Sequence, residues 1–364
     1  MHKVLFITSS LDRNGTETFI INVFRCIDRE KYMFDFLLFT ESINGYYNEV
    51  QKYGSKIYRL PARKDGLFKY KKKIKEFFEL HSKEYTVIHW CGCSLTSILP
   101  IYYAYIFDIP IRIIHAHSSN VKGLHNRVLH CVNKMIISKI GTHFLACSQL
   151  AANFFFRGTR CYGKYLIIKN GIDLDKFQYN VLIRNKFRKE LGLVDKFVIG
   201  HVGQFTKVKN HLFIIDIFVE LLKREPSSVL LLIGVGEDLE KIKQKVIGLH
   251  LQDNVHFLGL REDVNRLLQT MDCFLFPSFY EGLPFALVEA QAAGLPAYTS
   301  TNVSREVNLT GNVHFFDLQN TAEEWAKKIL LNKHIRNNVN DLIVRKGYSI
   351  RETVNKLINI DEGK

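Results

Sequence analysis

The sequence predicts an α/β protein made of two doubly wound parallel sheets, and three observations predict it. Short β-rich apolar runs alternate with amphipathic helical stretches along the chain, the pattern of parallel strands joined by helical crossovers. The pattern restarts at Phe197, after a polar, charged stretch from Asp173 to Lys196. At 364 residues the chain exceeds one ordinary core and fits two domains of similar size.

In the first half, strands are expected near Val4–Thr8, Phe34–Phe39, Ile57–Leu60, Val87–Trp90, Arg112–His115, His143–Ala146 and Leu166–Lys169. Helices are expected between them near Thr18–Cys26, Tyr70–His81, Leu95–Tyr105, Leu124–Ser138 and Gln149–Phe156. The second half reads as strands near Phe197–Val202, Val229–Ile233, Val255–Phe257, Cys273–Phe276 and Pro296–Thr299. Its helices fall near His211–Lys223, Leu239–Ile247, Val264–Gln269 and Pro284–Ala293. The domains are therefore placed at 1–180 and 181–348. Doubly wound sheets bind ligands at the carboxyl ends of their strands, so facing ends would make one cleft.

Composition narrows the class. A hydrophobic fraction of 47% with 24% charged residues is that of a folded chain, not a disordered one. No stretch reaches the roughly 20 apolar residues of a membrane helix, and the most apolar one, Ser97–Phe107, holds Pro100 and three tyrosines. The N-terminal run Met1–Ile7 reads as a strand and is too short for a signal peptide. Seven scattered cysteines form no zinc spacing and point to a reducing cytoplasm.

The net charge is +14, of which residues 1–180 supply +12. The densest cations are Arg63-Lys64 and the run Lys69 to Lys75. They read either as a solvated helix face or as attraction to an anionic surface, whether membrane headgroups or a phosphate-bearing acceptor. Nucleic acid is disfavoured, because stacking aromatics do not interleave the run.

The strongest constellation runs from Ser278 to Glu289. A strand ends at Phe276, Gly282 lies in the loop, Pro284 suits a first helical position, and Gly294 marks the stop. Such a helix offers unpaired N–H groups and a positive dipole end to phosphate. Glu281 and Glu289 flank that start and can hold sugar hydroxyls and ribose hydroxyls respectively. The alternative is a capped helix with a structural glutamate. In the first half, Asn14-Gly15-Thr16-Glu17 opens a helix after the first strand, and His115-Ala116-His117 ends a later strand. A metal reading of His115 and His117 lacks a third ligand, and either ring could be a hydrogen-bonded core histidine. Gly234-Val235-Gly236 reads as a tight turn. With no Gly-x-Gly-x-x-Gly after the first strand, a nicotinamide dehydrogenase is disfavoured.

Glu281 and Glu289, preceded by Phe276-Pro277-Ser278 and followed by Gly294-Leu295-Pro296, resemble the paired-glutamate motif of retaining glycosyltransferases of family 4. Further segments resemble that family in order: Lys169-Asn170-Gly171-Ile172-Asp173, His201-Val202-Gly203-Gln204-Phe205 with Lys209-Asn210-His211, and Phe257-Leu258-Gly259 with Asp263-Val264. Within it, the likeness is greatest to enzymes of capsular and exopolysaccharide synthesis.

The resemblance implies the GT-B architecture of two facing Rossmann-like domains, retention of anomeric configuration, and no metal or other cofactor, the nucleotide sugar being a substrate. It implies a donor site of Gly15, Gly203, Gln204, Lys209, Arg261, Glu281, Gly282, Leu283, Pro284, Phe285 and Glu289. Lys209 would neutralise the departing diphosphate, Glu281 would hold the sugar, and the backbone at Arg261 would meet the base. Asn14, Glu17, His115 and His117 would border the acceptor, with His117 favoured over His115 to touch the reacting sugar. The family usually has Arg where this chain has Gln204, and a neutral hydrogen bond is roughly half as strong as a charge-assisted one.

The implied reaction moves a hexosyl or N-acetylhexosaminyl unit, by family frequency from a UDP-sugar, to a glycan or lipid-linked acceptor at the inner face of the cell membrane. A sugar-nucleotide epimerase and an inactive nucleotide-sugar-binding scaffold are the alternatives. Ser349–Ile360 has helical spacing and, by the same architecture, packs back on the first domain.

Overall fold

The structure, a computed structural model, describes residues 2–332, 336 and 338–361. The chain divides into two compact units, Met1–Gly171 with Gly347–Lys364, and Ile172–Lys346. The division thus falls ahead of residue 180, directly after Asn170-Gly171. No helix among the described residues is long and apolar enough to cross a membrane.

The first unit runs β1 (His2–Thr8), α1 (Gly15–Cys26), β2 (Tyr32–Leu38), α2 (Tyr47–Lys52), β3 (Ile57–Arg59), α3 (Leu67–His81) and β4 (Val87–Gly92). It continues through α4 (Leu99–Ile106), β5 (Ile111–Ala116), α5 (Leu124–Ile140), β6 (His143–Ala146), α6 (Gln149–Phe156) and β7 (Leu166–Ile167). The seven strands form one parallel sheet in the order β3-β2-β1-β4-β5-β6-β7. Both faces of such a sheet are covered, so its strands are apolar throughout rather than alternating. Leu5, Ile7, Ile88 and Ile114 pack under Tyr70, Ile74 and Phe78 of α3. Full burial of each such side chain contributes about 1.5–3 kcal/mol.

The second unit begins with α7 (Leu174–Phe177) and α8 (Val181–Glu190), then β8 (Phe197–Val202), α9 (His211–Arg224), β9 (Ser228–Ile233), α10 (Leu239–Gly248) and β10 (Val255–Gly259). There follow α11 (Val264–Thr270), β11 (Cys273–Phe276), α12 (Phe285–Ala292), β12 (Ala297–Ser300), β13 (Val313–Phe316), α13 (Ala322–Leu331) and α14 (Asn340–Arg345). The parallel order is β10-β9-β8-β11-β12-β13, and its core gathers Ile199, Leu230, Leu275, Phe218 and Trp325.

A last helix, α15 (Ile350–Asp361), belongs to the first unit and packs on α1. Gly171 makes this docking possible. A Cβ there would come within 2.8 Å of the Ile350 Cα, and Thr353 Oγ1 donates to the Lys169 carbonyl at 3.1 Å.

Two helices, α7 and α8, occupy the polar, charged stretch from Asp173 to Lys196, where the sequence reading places none. The inner face of α8 is ionic: Arg184 and Arg188 each reach Asp272, at the foot of β11, at 2.5 Å. Val181 and Leu182 are left exposed, so α8 lacks the apolar period that marks its neighbours. Strand β13 and helix α13 are further additions to the expected set.

Candidate active site

Each sheet has one point where its strand order reverses, between β1 and β4 in the first unit and between β8 and β11 in the second. Open α/β sheets bind ligands in the crevice at the carboxyl edge of that point.

In the second unit, the loops leaving β8 and β11 meet there. After β8 come Gly203 and an exposed Gln204, a 3₁₀ turn over Lys207–Lys209, and Asn210 in the left-handed region at φ 57°. Asn210 Nδ2 donates to the Pro277 carbonyl at 3.1 Å, and the Phe279 N–H donates to the Val208 carbonyl at 2.9 Å. These two bonds tie the loops together and aim Lys209 at Glu281. Lys209 Nζ lies 2.6 Å from Glu281 Oε1, with both side chains about one-fifth exposed. The ammonium also sits 4.5 Å from the Phe276 ring centroid.

Gly203 makes room for this lysine, since a Cβ there would stand 3.3 Å from Lys209 Cε and 3.0 Å from His201 Nε2. Gly234 and Gly236 form a structural turn: at φ +138°, a Cβ on Gly234 would lie 2.1 Å from the Gly203 carbonyl oxygen.

Helix α12 starts at Phe285, with Pro284 as its N-cap at φ −72°, so it begins one residue later than expected. The first N–H groups of any α-helix lack intrahelical acceptors, so this end is positive and suited to an anion. Gly282 is exposed and a Cβ on it would meet nothing within 4 Å. Leu283 and Phe285 are half-buried beside it and Pro284 is buried. Glu289 projects from the second turn of α12, half-buried, and burial pushes its carboxyl up to about 7. Arg261 is clamped by Asp263 through two bonds of 2.8 and 2.7 Å.

Behind Lys209 lie two buried histidines that the sequence shows only as part of a motif. His201 donates from Nδ1 to the Leu275 carbonyl at 2.8 Å, and its ring centroid is 4.7 Å from that of His211. Burial depresses both, His211 to about 4, and the Lys209 charge adds to the effect. Kept neutral, they leave the positive charge at this point to the lysine.

The first unit is different in kind. Its reversal point holds a cavity of about 220 Å³, lined among others by Thr8, Ser9, Glu17, Tyr70, Trp90 and Thr96. Glu17 is 3% exposed and accepts from Thr8 Oγ1 at 3.2 Å and Ser9 Oγ at 3.3 Å. Burial raises its pKa, opposed by a backbone hydrogen bond and by those two hydroxyls. Asn14 is the N-cap of α1, with Gly15 exposed next to it. Of the lining, sequence reading singles out Glu17. The remainder comes from the ends of β1 and β4, the segments that follow β1, β2 and β4, and single residues of α1 and α3.

The histidines of β5 stand elsewhere. His115 is wholly buried, its Nδ1 3.1 Å from His89 Nε2, so it is a core residue and not part of the cavity wall. The reason is the parallel sheet, whose two covered faces leave a strand-end side chain no route to solvent. His117 is half-buried, its ring 4.1 Å from His115 and 5.0 Å from Phe19, and it too is absent from the cavity lining. Burial lowers His89 and His117 to about 3. The fold does bring His89 and Cys91 to His115, their donor atoms within 4.8 Å of one another. The two imidazoles bond to each other there, and burial pushes the Cys91 thiol up, away from the thiolate a metal takes.

Comparison with known proteins agrees with this layout. Residues 183–345 match the family described as Glycosyl transferases group 1. EpsF of Bacillus subtilis (strain 168) is 28% identical over 98% of this chain and 96% of its own. The capsular polysaccharide biosynthesis glycosyltransferase CapH of Staphylococcus aureus is 27% identical over 92% of this chain and 93% of its own. Among solved structures, Anabaena HepE in complex with UDP-glucose superposes with a TM-score of 0.79 at 18% identity, covering both chains fully. Two reversed-order parallel sheets of this kind are the GT-B fold. The chain is a glycosyltransferase.

Proposed function

We propose that the chain is a retaining, metal-independent enzyme of glycosyltransferase family 4 that moves a sugar from UDP to a glycan or lipid-linked acceptor in cell-surface polysaccharide synthesis. The observation that carries this reading is the Lys209–Glu281 pair, held at 2.6 Å at the β8/β11 reversal beside the start of α12. Support for the setting comes from the likeness to CapH, a capsular polysaccharide biosynthesis glycosyltransferase, and to HepE, solved in complex with UDP-glucose.

In this reading Glu281 exchanges its lysine for sugar hydroxyls when the donor binds. Lys209 then faces the diphosphate, whose negative charge grows as the glycosidic bond breaks. A fixed cation in a partly desolvated site stabilises that charge more in the transition state than in the ground state. Glu289 takes the ribose hydroxyls. No protein nucleophile is assigned: the acceptor oxygen attacks on the face the diphosphate leaves, and its proton passes to the departing phosphate. Positioning carries the rate.

The test is incubation with UDP-, GDP- and ADP-sugars and a membrane extract, with and without EDTA, followed by nuclear magnetic resonance of the new linkage. The expected outcome is release of UDP, EDTA-insensitive extension of a lipid-linked glycan, and an unchanged anomeric configuration. An inverted linkage, or nucleotide release without extension, would sink the proposal.

A further inference from the structure

We propose that His201 is a positioning residue for the donor diphosphate: its Nε2 is a second acceptor for the Lys209 ammonium, taken up when a bound diphosphate opens the Lys209–Glu281 pair. The inference rests on the proposed reading of that pair and adds the group that holds the lysine once the pair has opened.

The observation is a buried lone pair without a partner. His201 lies on β8 and is wholly buried. Its Nδ1 carries the ring proton, because it donates to the Leu275 carbonyl at 2.8 Å. In a neutral imidazole the other nitrogen is then an acceptor. That nitrogen, Nε2, has no hydrogen-bond partner among the described residues. A buried acceptor left unpaired carries a free-energy penalty, so a donor that reaches it is favoured.

Lys209 is placed to be that donor. The space a Cβ on Gly203 would fill is bordered by His201 Nε2 at 3.0 Å and by Lys209 Cε at 3.3 Å. The lone pair and the end of the lysine stem thus share one gap, and glycine keeps it open. Both groups also lie against Phe276: the ammonium is 4.5 Å from its ring centroid, and the imidazole stacks on it at 5.4 Å. The imidazole is fixed by its Leu275 bond, by Phe276 and by the His211 ring at 4.7 Å. The lysine stem is the part that can turn. An ammonium has three donors, so it can meet Nε2 and a phosphate oxygen together.

The charge balance favours a neutral partner. A carboxylate behind the lysine offsets the positive charge that the departing diphosphate calls for. An imidazole lone pair orients the ammonium and leaves its charge whole. Burial, with the neighbouring His211 and Lys209 adding to it, holds His201 well below its ordinary value, so it stays an acceptor in the neutral range.

The experiment is calorimetric titration of the full chain with UDP, whose terminal phosphate competes with Glu281 for the lysine. His201→Phe keeps a ring and removes the lone pair. UDP should bind it roughly 10- to 100-fold more weakly, the scale of one hydrogen bond to a charged group. Two amide variants separate positioning from structure. His201→Gln carries an amide oxygen out to the region of Nε2 and should recover most of the affinity. His201→Asn can replace only the bond to Leu275 and should stay as weak as His201→Phe. In a Lys209→Met background, His201→Phe should cost nothing further, because it acts through the lysine. Circular dichroism checks that each variant is folded, and the Gln and Asn pair decides the matter if the Phe variant is not. Wild-type affinity in His201→Phe or His201→Asn overturns the inference. So does a Gln variant no tighter than the Asn one, or an undiminished loss in the Lys209→Met background. Those results leave the donor reading intact where Lys209→Met alone weakens UDP. A wild type that does not bind UDP, or a Lys209→Met variant that binds it normally, overturns both.

Discussion

The two reversal points of this molecule share a topology and differ in chemistry. In the second unit the point holds an ion pair, a helix start and buried neutral histidines behind the lysine. In the first unit it holds hydroxyls, aromatic walls and a buried carboxyl whose pKa is raised. The same fold thus carries a lysine-bearing crevice in one half and a hydroxyl- and aromatic-lined cavity in the other. What sets them apart is the strand ends and the loops that leave them, over sheets that are mostly apolar. A transferase needs that asymmetry, since one ligand gains charge on reaction and the other only loses a proton.

The most severe way to break the contrast is to remove the charge. Lys209→Ala is expected to lower the turnover of transfer by about 10²–10³-fold or more, the scale of losing one stabilising donor to a developing anion. Glu281→Ala should lose transfer to a similar degree. Circular dichroism should stay native for both, because these side chains keep partial exposure and anchor no core. Near-normal release of UDP by both variants would leave the second unit without its charged end.

The next largest effect is a pH dependence at Glu289. Its carboxyl titrates at about 7 in the fold against an ordinary 4.5. The native state therefore binds the proton more tightly than the unfolded chain, and stability falls as pH rises from the ordinary carboxylate range through about 7. Glu289→Gln should raise the melting temperature above that window and leave it unchanged below. If the ionised carboxylate takes the ribose, the wild-type KM for donor should drop as pH rises through the same window, and the variant should show no such drop. A pH-independent difference in melting temperature would contradict the assigned burial.

How much of this was legible in the sequence follows the same division. The donor-side loops announce themselves, because glycines, prolines and paired acids sit at fixed offsets where the backbone must turn or approach phosphate. Gly203, Gly282, Gly294 and the Glu281/Glu289 spacing are of that kind. The cavity of the first unit is assembled from Thr8, Ser9, Tyr70, Trp90 and Thr96, residues far apart in sequence whose proximity depends on strand order. Strand order is not written in any local pattern. His115 misleads for a related reason: in a doubly covered sheet, period-two alternation cannot separate a core-facing from a crevice-facing position. Helix α8 escapes because arginines, not apolar residues, hold it down, and α13 is missed although Thr321 and Glu324 form a capping box at its start.

A smaller effect separates space kept for a ligand from space kept for the fold. Gly282→Ala is expected to leave unfolding free energy within about 0.5 kcal/mol, the usual range for surface changes, because a Cβ there meets nothing. On the proposed reading, which sets the sugar diphosphate beside Gly282, it should raise the KM for donor. Gly234→Ala should do the reverse. At φ +138° and 2.1 Å from a carbonyl oxygen it strains the turn, costing about 1–3 kcal/mol before any donor binds. Denaturant melts paired with donor titrations read both, and equal losses of stability would erase the distinction.

The smallest effect is the sharpest test of the uncharged end. Glu17 is enclosed, its pKa raised by burial, with two hydroxyls donating to one oxygen. If the group is a carboxylic acid in the working enzyme, Glu17→Gln keeps its shape, its acceptor oxygen and its lack of charge. Unfolding free energy should then change by less than about 1 kcal/mol, and the KM for donor should not move. Glu17→Ala strands the Thr8 and Ser9 hydroxyls and should cost about 1–3 kcal/mol. The KM for acceptor should rise in both variants, more steeply in the alanine one. Were the glutamine variant as unstable as the alanine one, the side chain would have to be an anion. The first unit would then carry a fixed charge of its own, and the contrast between the two crevices would be one of sign, not of charge against neutrality.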